Sequence, residues 1–251
     1  MNRFWCGVDL GTLAYPEALK LQHRFVEAVL RRTGDCSGMV LMVEHLPVFT
    51  LGQRGGLENL RVSTSFLENN GIAVIPSERG GDITYHGPGQ LVVYPVIDLK
   101  SAGQSVSSYV EALEEVMIRT AADWNITAAR HPAGRGVWAG DAKLGSIGIR
   151  VRRTVAFHGM ALNVSLSLTP FEWINPCGMA GMRMTSLTKE SSSDITMPAV
   201  RHSVHRQIEA VFGLPLIMTD ASVLAAIASN DEADETMPEW VSAPFHGNTR
   251  Q

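Results

Sequence analysis

Residues 136–166, GVWAGDAKLGSIGIRVRRTVAFHGMALNVSL, decide the fold class. Gly140-Asp141 falls between GVWA and AKLGSIGIRV where a tight hairpin turn belongs, and Ile147, Ile149 and Val151 alternate with small or polar residues. VAFHGMALNVSL continues the strand character, so most of 126–166 is expected to be sheet. Just upstream, SVSSYVEALEEVMIRTAADW places Val106, Tyr109, Val110, Leu113, Met117, Thr120 and Trp124 on one face at helical spacing. Strands thus come both as hairpins and separated by helices. That pattern indicates a mixed α/β (α+β) domain rather than a doubly wound one.

Further upstream, Pro16 opens a helix running to about Arg32, with Gly34 just past its end. GMVLMVEH and VFTLG read as short strands, Thr64–Asn70 as a helical turn closed by Gly71, and IAVI at 72–75 as a buried strand. The segment RGGDITYHGPGQ, residues 79–90, reads as a glycine-rich loop before LVVYPVIDL, whose Pro95 suggests an edge strand or an interruption. Downstream, TPFEWINPCGMAGMRMTSL is looser, and a helix over 198–212 carries Val200, Val204, Ile208 and Val211 and ends at Gly213. Residues 1–215 are expected to form a single catalytic domain. Residues 216–251 are read as a C-terminal helix near 219–228 and an acidic, loosely ordered tail.

Of the 251 residues, 45% are hydrophobic and 18% charged, enough for a sizeable core. A net charge of −4 supplies no global basic field, so nucleic acid is not an expected partner. The N-terminus lacks a signal-peptide apolar run, and no stretch approaches the ~18 apolar residues of a membrane span. Cys6, Cys36 and Cys177 are an odd number, widely spaced and without CxxC, which argues against a disulfide framework and a zinc knuckle. A reducing, cytoplasmic setting is expected.

Few residues stand out chemically. Free cysteines are usually buried small hydrophobes, but Cys177 follows Pro176 and precedes Gly178 and Gly181, which leave its approach uncrowded. A thiol held this way can attack a carbonyl if something lowers its pKa. Lys143 is the candidate for that: a lysine after a hairpin turn is usually solvated, yet it begins a strand with Leu144, Ile147 and Ile149. His158 reads as a structural strand residue, whereas His86, read as lying on a loop, is the better functional candidate. His202 and His205 are one helical turn apart on a polar face, and no close ligand spacing points to a metal. The glycine-rich segment matches neither a P-loop nor GxGxxG, and its glycines would let backbone lie against a long apolar substrate. Arg150 and Arg152 share a strand face and could form a basic patch for an acidic partner.

Taken in order, RGGDITYHGPGQLVVYPVIDL, AKLGSIGIRV, FHGMALNV and NPCGMAGMRMTSL resemble the signature segments of the lipoyl(octanoyl) transferases, octanoyl-[acyl-carrier-protein]:protein N-octanoyltransferases. The likeness runs from about VEHLPVFTLGQR to the TSL near 187; Leu46 replaces a proline expected before Pro47. The resemblance implies a mixed sheet flanked by helices, similar to the biotin and lipoate protein ligase catalytic domain. It implies that Cys177 forms an acyl thioester and that Lys143 tunes the thiol and handles protons. Substrate-binding positions would fall on Arg79, Gly80, Gly81, Asp82, Ile83, Thr84, Tyr85 and His86, on Ser146, Ile147 and Gly148, and on Gly159, Met160 and Ala161. Implied partners are octanoyl-acyl carrier protein as donor and, as acceptors, the lipoyl domains of 2-oxoacid dehydrogenase complexes and the glycine cleavage H protein. No cofactor or metal is expected, because exchanging a thioester for an amide is downhill without ATP. Two alternatives remain at this point: an ATP-dependent lipoate or biotin ligase, and a non-catalytic module that binds carrier or lipoyl domains.

Overall fold

A computed structural model describes residues 4–31, 36–132, 134–178 and 181–220, with the side chain of Cys177 outside that description. In chain order the elements are β1 (Trp5–Leu13), α1 (Tyr15–Arg31), β2 (Gly38–His45), β3 (Val48–Leu51), α2 (Thr64–Asn69), β4 (Ala73–Pro76), β5 (Ile83–His86) and β6 (Gln90–Asp98). Then follow α3 (Val106–Ala122), β7 (Ala128–His131), β8 (Gly134–Ala139), β9 (Ala142–Arg152), β10 (Val155–Asn163), β11 (Arg183–Met184), α4 (Leu187–Glu190), α5 (Met197–Phe212) and β12 (Leu216–Met218). The main sheet has the order β12-β1-β2-β6-β10-β9-β8-β7, with β11 also pairing with β9, and a small sheet has the order β4-β3-β5. Parallel pairs at β12-β1, β1-β2 and β9-β11 join antiparallel ones, so the sheet is mixed as expected.

Both faces of the main sheet are covered, which is why β2 and β6 read as unbroken apolar runs. Met39, Leu41 and Val43 of β2 pack with Phe25 and Val26 of α1, while the alternate residues Val40 and Met42 pack with Tyr109, Leu113 and Met117 of α3. Period-2 alternation delivers the two sets to opposite faces. Ser105 and Ser108 form a capping box at the start of α3, and Gly213, at φ 65°, closes α5.

Several expectations are corrected. Pro95 does not mark an edge: β6 is a central strand between β2 and β10. Its interruption is local and faces β10, where pairing holds at Ala156↔Ile97 and Met160↔Val93 but opens between them. Proline lacks the N–H that the ladder would use there. His158, opposite the gap, takes φ 56° and donates its backbone N–H to Gln22 Oε1 of α1 at 2.8 Å. Next to it a side chain on Gly159 would put Cβ 2.2 Å from Val93 O.

The N-terminal residues, not assigned from sequence, form β1; only its first four residues are buried, which weakens the periodic signal. Cys6 and Cys36 are joined by a disulfide with Cα atoms 5.9 Å apart, correcting the expectation of unpaired cysteines. They meet because α1 crosses over to lay β2 parallel to β1, with Cys6 in register with Met39. Leu216–Met218 pair with β1, so these three residues join the sheet rather than a separate tail. The helix expected near 219–228 and the acidic stretch 229–240 lie outside the described residues from 221 onward.

Candidate active site

The segment read from sequence as one glycine-rich loop divides into three parts. Residues 79–82 are a true loop, 83–86 are β5, and 87–89 turn the chain into β6. His86 therefore sits at the end of a strand, paired with Val48 of β3, and not on a loop. The turn needs glycine at position 89, where φ is 86° and a Cβ would lie 2.5 Å from Leu166 N. Gly89 O there accepts from the N–H groups of Val164, Ser165 and Leu166. In the loop, the buried Arg79 guanidinium donates to Thr50 Oγ1 and O and to Gly80 O, and Gly80 N–H donates to Ile149 O at 2.9 Å. Glycine freedom thus serves close docking against β3 and β9.

Between this segment, the start of α1 and the strands β6, β9 and β10 lies a cavity. One wall holds Arg79, Gly81, Asp82, Ile83, Thr84 and His86; the other holds Ser146, Ile147, Gly148, Gly159, Met160 and Ala161. Pairing of Gly148 with Gly159, Ile147 with Met160 and Ser146 with Ala161 across β9 and β10 sets that second wall in register. Two positions expected to bind substrate do not line the cavity. The Tyr85 ring packs with Phe49 and Phe171 in the small-sheet core, and Gly80 contributes its N–H to β9 instead.

Sequence reasoning missed Tyr15, Val92 and Tyr94 and left His158 structural, although all four line the cavity. A tyrosine inside an apolar strand, as in LVVYPVI, was the available signal, since a buried phenol needs a partner. Tyr94 finds it in His45: the His45 Nδ1–H donates to Leu13 O at 2.9 Å, so Nε2 accepts from the Tyr94 hydroxyl at 2.7 Å. Burial pushes His45 down to about 4 and, with the nearby His45 and Arg79 charges, His86 down to about 3. Burial likewise holds His158 well below the ordinary histidine range and raises Tyr15 and Tyr94. At neutral pH these rings and phenols carry no charge. The ionisable groups that remain in the lining are Arg79, whose guanidinium donates to Thr50 and Gly80 O, and Asp82, which accepts from Asn59 Nδ2.

Two further elements carry the residues singled out for chemistry. Lys143 lies in β9, buried to 2% exposure, with Nζ 4.7 Å from the centre of the Trp138 ring. A register slip between Val137↔Gly145 and Trp138↔Lys143 forms a bulge there, a device that re-aims side chains. Lys143 is therefore not a solvated surface charge.

Pro176–Gly178 form a short 3-10 turn that holds the backbone of Cys177. Asn175 N–H donates to Asn59 O at 2.8 Å, and Asn59 Nδ2 donates to Asp82 Oδ2 at 2.8 Å. Gly178, at φ 71°, lies so close to that carboxylate that a Cβ would be 2.8 Å from Asp82 Oδ2. After residues 179–180 the chain returns as β11, pairing Met184 with Lys143. The cavity-lining Asp82 thus braces the cysteine turn, and the return limb runs beside Lys143.

Other candidates fall elsewhere. Arg150 is exposed on β9, whereas Arg152 pairs with Glu27 of α1 at 2.9 Å. His205 faces Glu209 at 3.6 Å on α5. Among the described residues no cluster of three or more His, Cys, Asp or Glu side chains is arranged to hold a metal ion.

Residues 14–209 match the family described as the lipoyl protein ligase A/B catalytic domain. Proteins named octanoyltransferase are similar over most of the chain. The one from Desulfotalea psychrophila is 44% identical, covering 82% of this chain and 93% of its own. That from Geotalea uraniireducens is 43% identical over 80% and 90%, and that from Solibacter usitatus 46% over 69% and 78%. Among solved structures, the bipartite lipoate protein ligase from Thermoplasma acidophilum superposes with a TM-score of 0.72 at 15% identity, covering 99% of this chain and 100% of its own. A lipoate-protein ligase A bound with ATP gives 0.70 at 16% identity, over 98% and 100%, a likeness of fold.

Proposed function

We propose, for a chain that belongs to the lipoyl protein ligase A/B catalytic-domain family and is an acyltransferase, that it moves an octanoyl or lipoyl group from acyl carrier protein to a specific lysine of a lipoyl domain through a thioester on Cys177. The observation that carries this reading is a cavity whose imidazoles and phenols are all uncharged, with Asp82 in its wall bracing the cysteine turn, whose return limb pairs beside buried Lys143. An octanoyl chain needs such a lining, since a hydrocarbon gains by leaving water and loses if it displaces solvated charges.

In the first half-reaction the Cys177 thiolate attacks the carbonyl carbon of the donor thioester. A new carbon–sulfur bond forms, the bond to the carrier sulfur breaks, and that sulfur leaves with the proton given up by Cys177, relayed by Lys143. In the second, the neutral amine of the acceptor lysine attacks the same carbon, the Cys177 bond breaks, and the amine proton returns to the sulfur through Lys143. One thioester replaces another and an amide then replaces the thioester, so the sequence runs downhill without ATP and with ping-pong kinetics. The acceptors in this reading are the lipoyl domains of 2-oxoacid dehydrogenase complexes and the glycine cleavage H protein.

We assign the reaction to the cytoplasm; among the described residues no helix is long and apolar enough to cross a membrane. In a reducing compartment Cys6 and Cys36 would be held as thiols. Neither lines the cavity, so the reading does not depend on their state.

The test is incubation with octanoyl-carrier protein and no ATP, followed by intact mass measurement. A single octanoyl adduct is expected, removed by hydroxylamine and not formed by Cys177→Ser. An adduct that appears only with ATP and free octanoate would favour the ligase reading, and no adduct in either arm would remove the transfer reading.

A further inference from the structure

Four hydrogen bonds run one way through the protein interior and end on the backbone of Lys143. The His86 Nδ1–H donates to Gln90 Oε1 at 2.7 Å. Gln90 Nε2 donates to Asn163 Oδ1 at 2.9 Å, and Asn163 Nδ2 donates to Thr185 O at 2.9 Å. Thr185 N–H then donates to Lys143 O at 2.9 Å. Gln90 and Asn163 are 2% and 1% exposed, so their amides have no bulk water to turn to.

The direction is not arbitrary. Gln90 and Asn163 are each a single amide that accepts on its oxygen and donates from its nitrogen, so the bonds from His86 to Thr185 O polarise one another in the same sense. Thr185 accepts on the peptide that follows it and donates from the peptide that precedes it, which ties its backbone to β9 at Lys143 O. Gln90 Nε2 also reaches Tyr85 O at 3.3 Å, which fixes its oxygen toward His86. Consequently His86 is held as its Nδ1–H tautomer, with Nε2 as the acceptor nitrogen. At the far end, Thr185 lies in the limb returning from the Cys177 turn, one residue past Met184, which pairs with Lys143. The chain of bonds therefore joins the cavity wall, β10 and the limb leaving the nucleophile's turn to the strand that carries Lys143.

We infer that Asn163, with Gln90, is a positioning residue for acyl transfer: it holds the return limb of the Cys177 turn in register with Lys143 and sets the tautomer of His86 in the cavity wall. The inference rests on the transfer reading above. Neither side chain lines the cavity, so the role is exerted through Thr185, Lys143 and His86.

Protonation of a replacement carboxyl supplies the test. Asn163→Asp keeps the volume of asparagine. As a carboxylate it can only accept, and it opposes Thr185 O; as a protonated acid it accepts from Gln90 and donates to Thr185 O, restoring the wild-type pattern. Single-turnover acylation by octanoyl-carrier protein is expected to fall about tenfold or more at pH 8, the worth of one lost directional hydrogen bond, with donor half-saturation within about twofold of wild type. The deficit should narrow as the pH is lowered toward 5.5. Gln90→Glu, one link nearer the cavity, is expected to behave likewise and serves if Asn163→Asp does not fold. The double variant should be no slower than the worse single one, because one chain of bonds is cut twice. Long-range ¹H–¹⁵N spectra should show His86 as the Nδ1–H tautomer in the wild type.

A wild-type rate in both variants, a deficit independent of pH, or multiplied losses in the double variant would overturn the inference while leaving acyl transfer intact. A wild-type chain that takes no acyl group removes the transfer reading and the inference together. The Nε2–H tautomer of His86 in the wild type would overturn the inference alone.

Discussion

The two faces of the main sheet are built from alternate residues of the same strands and have opposite character. Under α3 and α5, Val40, Met42, Leu91 and Val93 meet Tyr109, Leu113 and Met117 in a continuous apolar core. Under α1 the packing begins the same way, with Leu41, Val43 and Val96, but near the start of α1 it gives way to Tyr15, His45, His86, Tyr94 and His158 around the cavity. One residue of register separates hydrocarbon from imidazole. The polar face is tolerated because its rings and phenols stay uncharged and several are tied into hydrogen bonds, such as Tyr94 to His45 and Tyr15 to Ser77.

That contrast breaks most sharply in activity. Lys143→Met keeps the bulk of a buried side chain and removes the ammonium, so acylation should slow by about 10²–10⁴-fold, the usual worth of a positioned proton-transfer group. Circular dichroism and thermal melts should show a folded protein. An unaltered rate across pH would deny Lys143 any part in the chemistry.

Substitution on the apolar face should do the reverse. Leu113→Ala, fully buried against the core, is expected to lower stability by about 2–5 kcal/mol in urea titration while the rate per folded molecule is kept. A selective loss of rate would show that the two faces are coupled.

Acid should act through the polar face. His45 and His86 have folded values pushed to about 4 and about 3 from 6.5, so the unfolded chain binds protons that the folded chain refuses. Their contribution is complete above pH 6.5 and is lost as pH falls toward 4, at about 1.4 kcal/mol per unit for each group over that window. His45→Gln should flatten the slope of stability against pH between these limits, and an unchanged slope would refute the assignment.

The smallest effect is expected at the arginines near the end of β9. Arg150 is exposed, whereas Arg152 is engaged by Glu27, so only Arg150→Ala should weaken donor use, by a few-fold at low salt. Equal effects of the two substitutions, or none from Arg150→Ala, would count against carrier docking there.

Much of this was legible in the residues. Helical spacing located α1, α3 and α5, and Gly140-Asp141 located the β8–β9 turn, because those signals are local and strong. Less could be read where a position's meaning depends on a distant partner. Pro95 in LVVYPVIDL suggests an edge or an interruption, and only the sheet decides between them: β6 is central, and the interruption faces His158, whose own N–H turns to Gln22. Cys6 and Cys36 looked unrelated until α1 returned the chain beside its start. His86 was placed on a loop because glycines surround it, but those glycines serve the segments before and after β5.

By itself, then, the sequence determined the mixed α/β class and the family signature, and it drew attention to Lys143 and the PCG turn, since each depends on residue type and short-range spacing. Only the tertiary structure decided that Lys143 is buried against Trp138, that Asp82 braces the cysteine turn, and that Tyr15, Tyr94 and His158 share a cavity. The reason is physical: burial, charge state and hydrogen-bond partners are set by groups distant along the chain, and they become defined when the sheet closes its register.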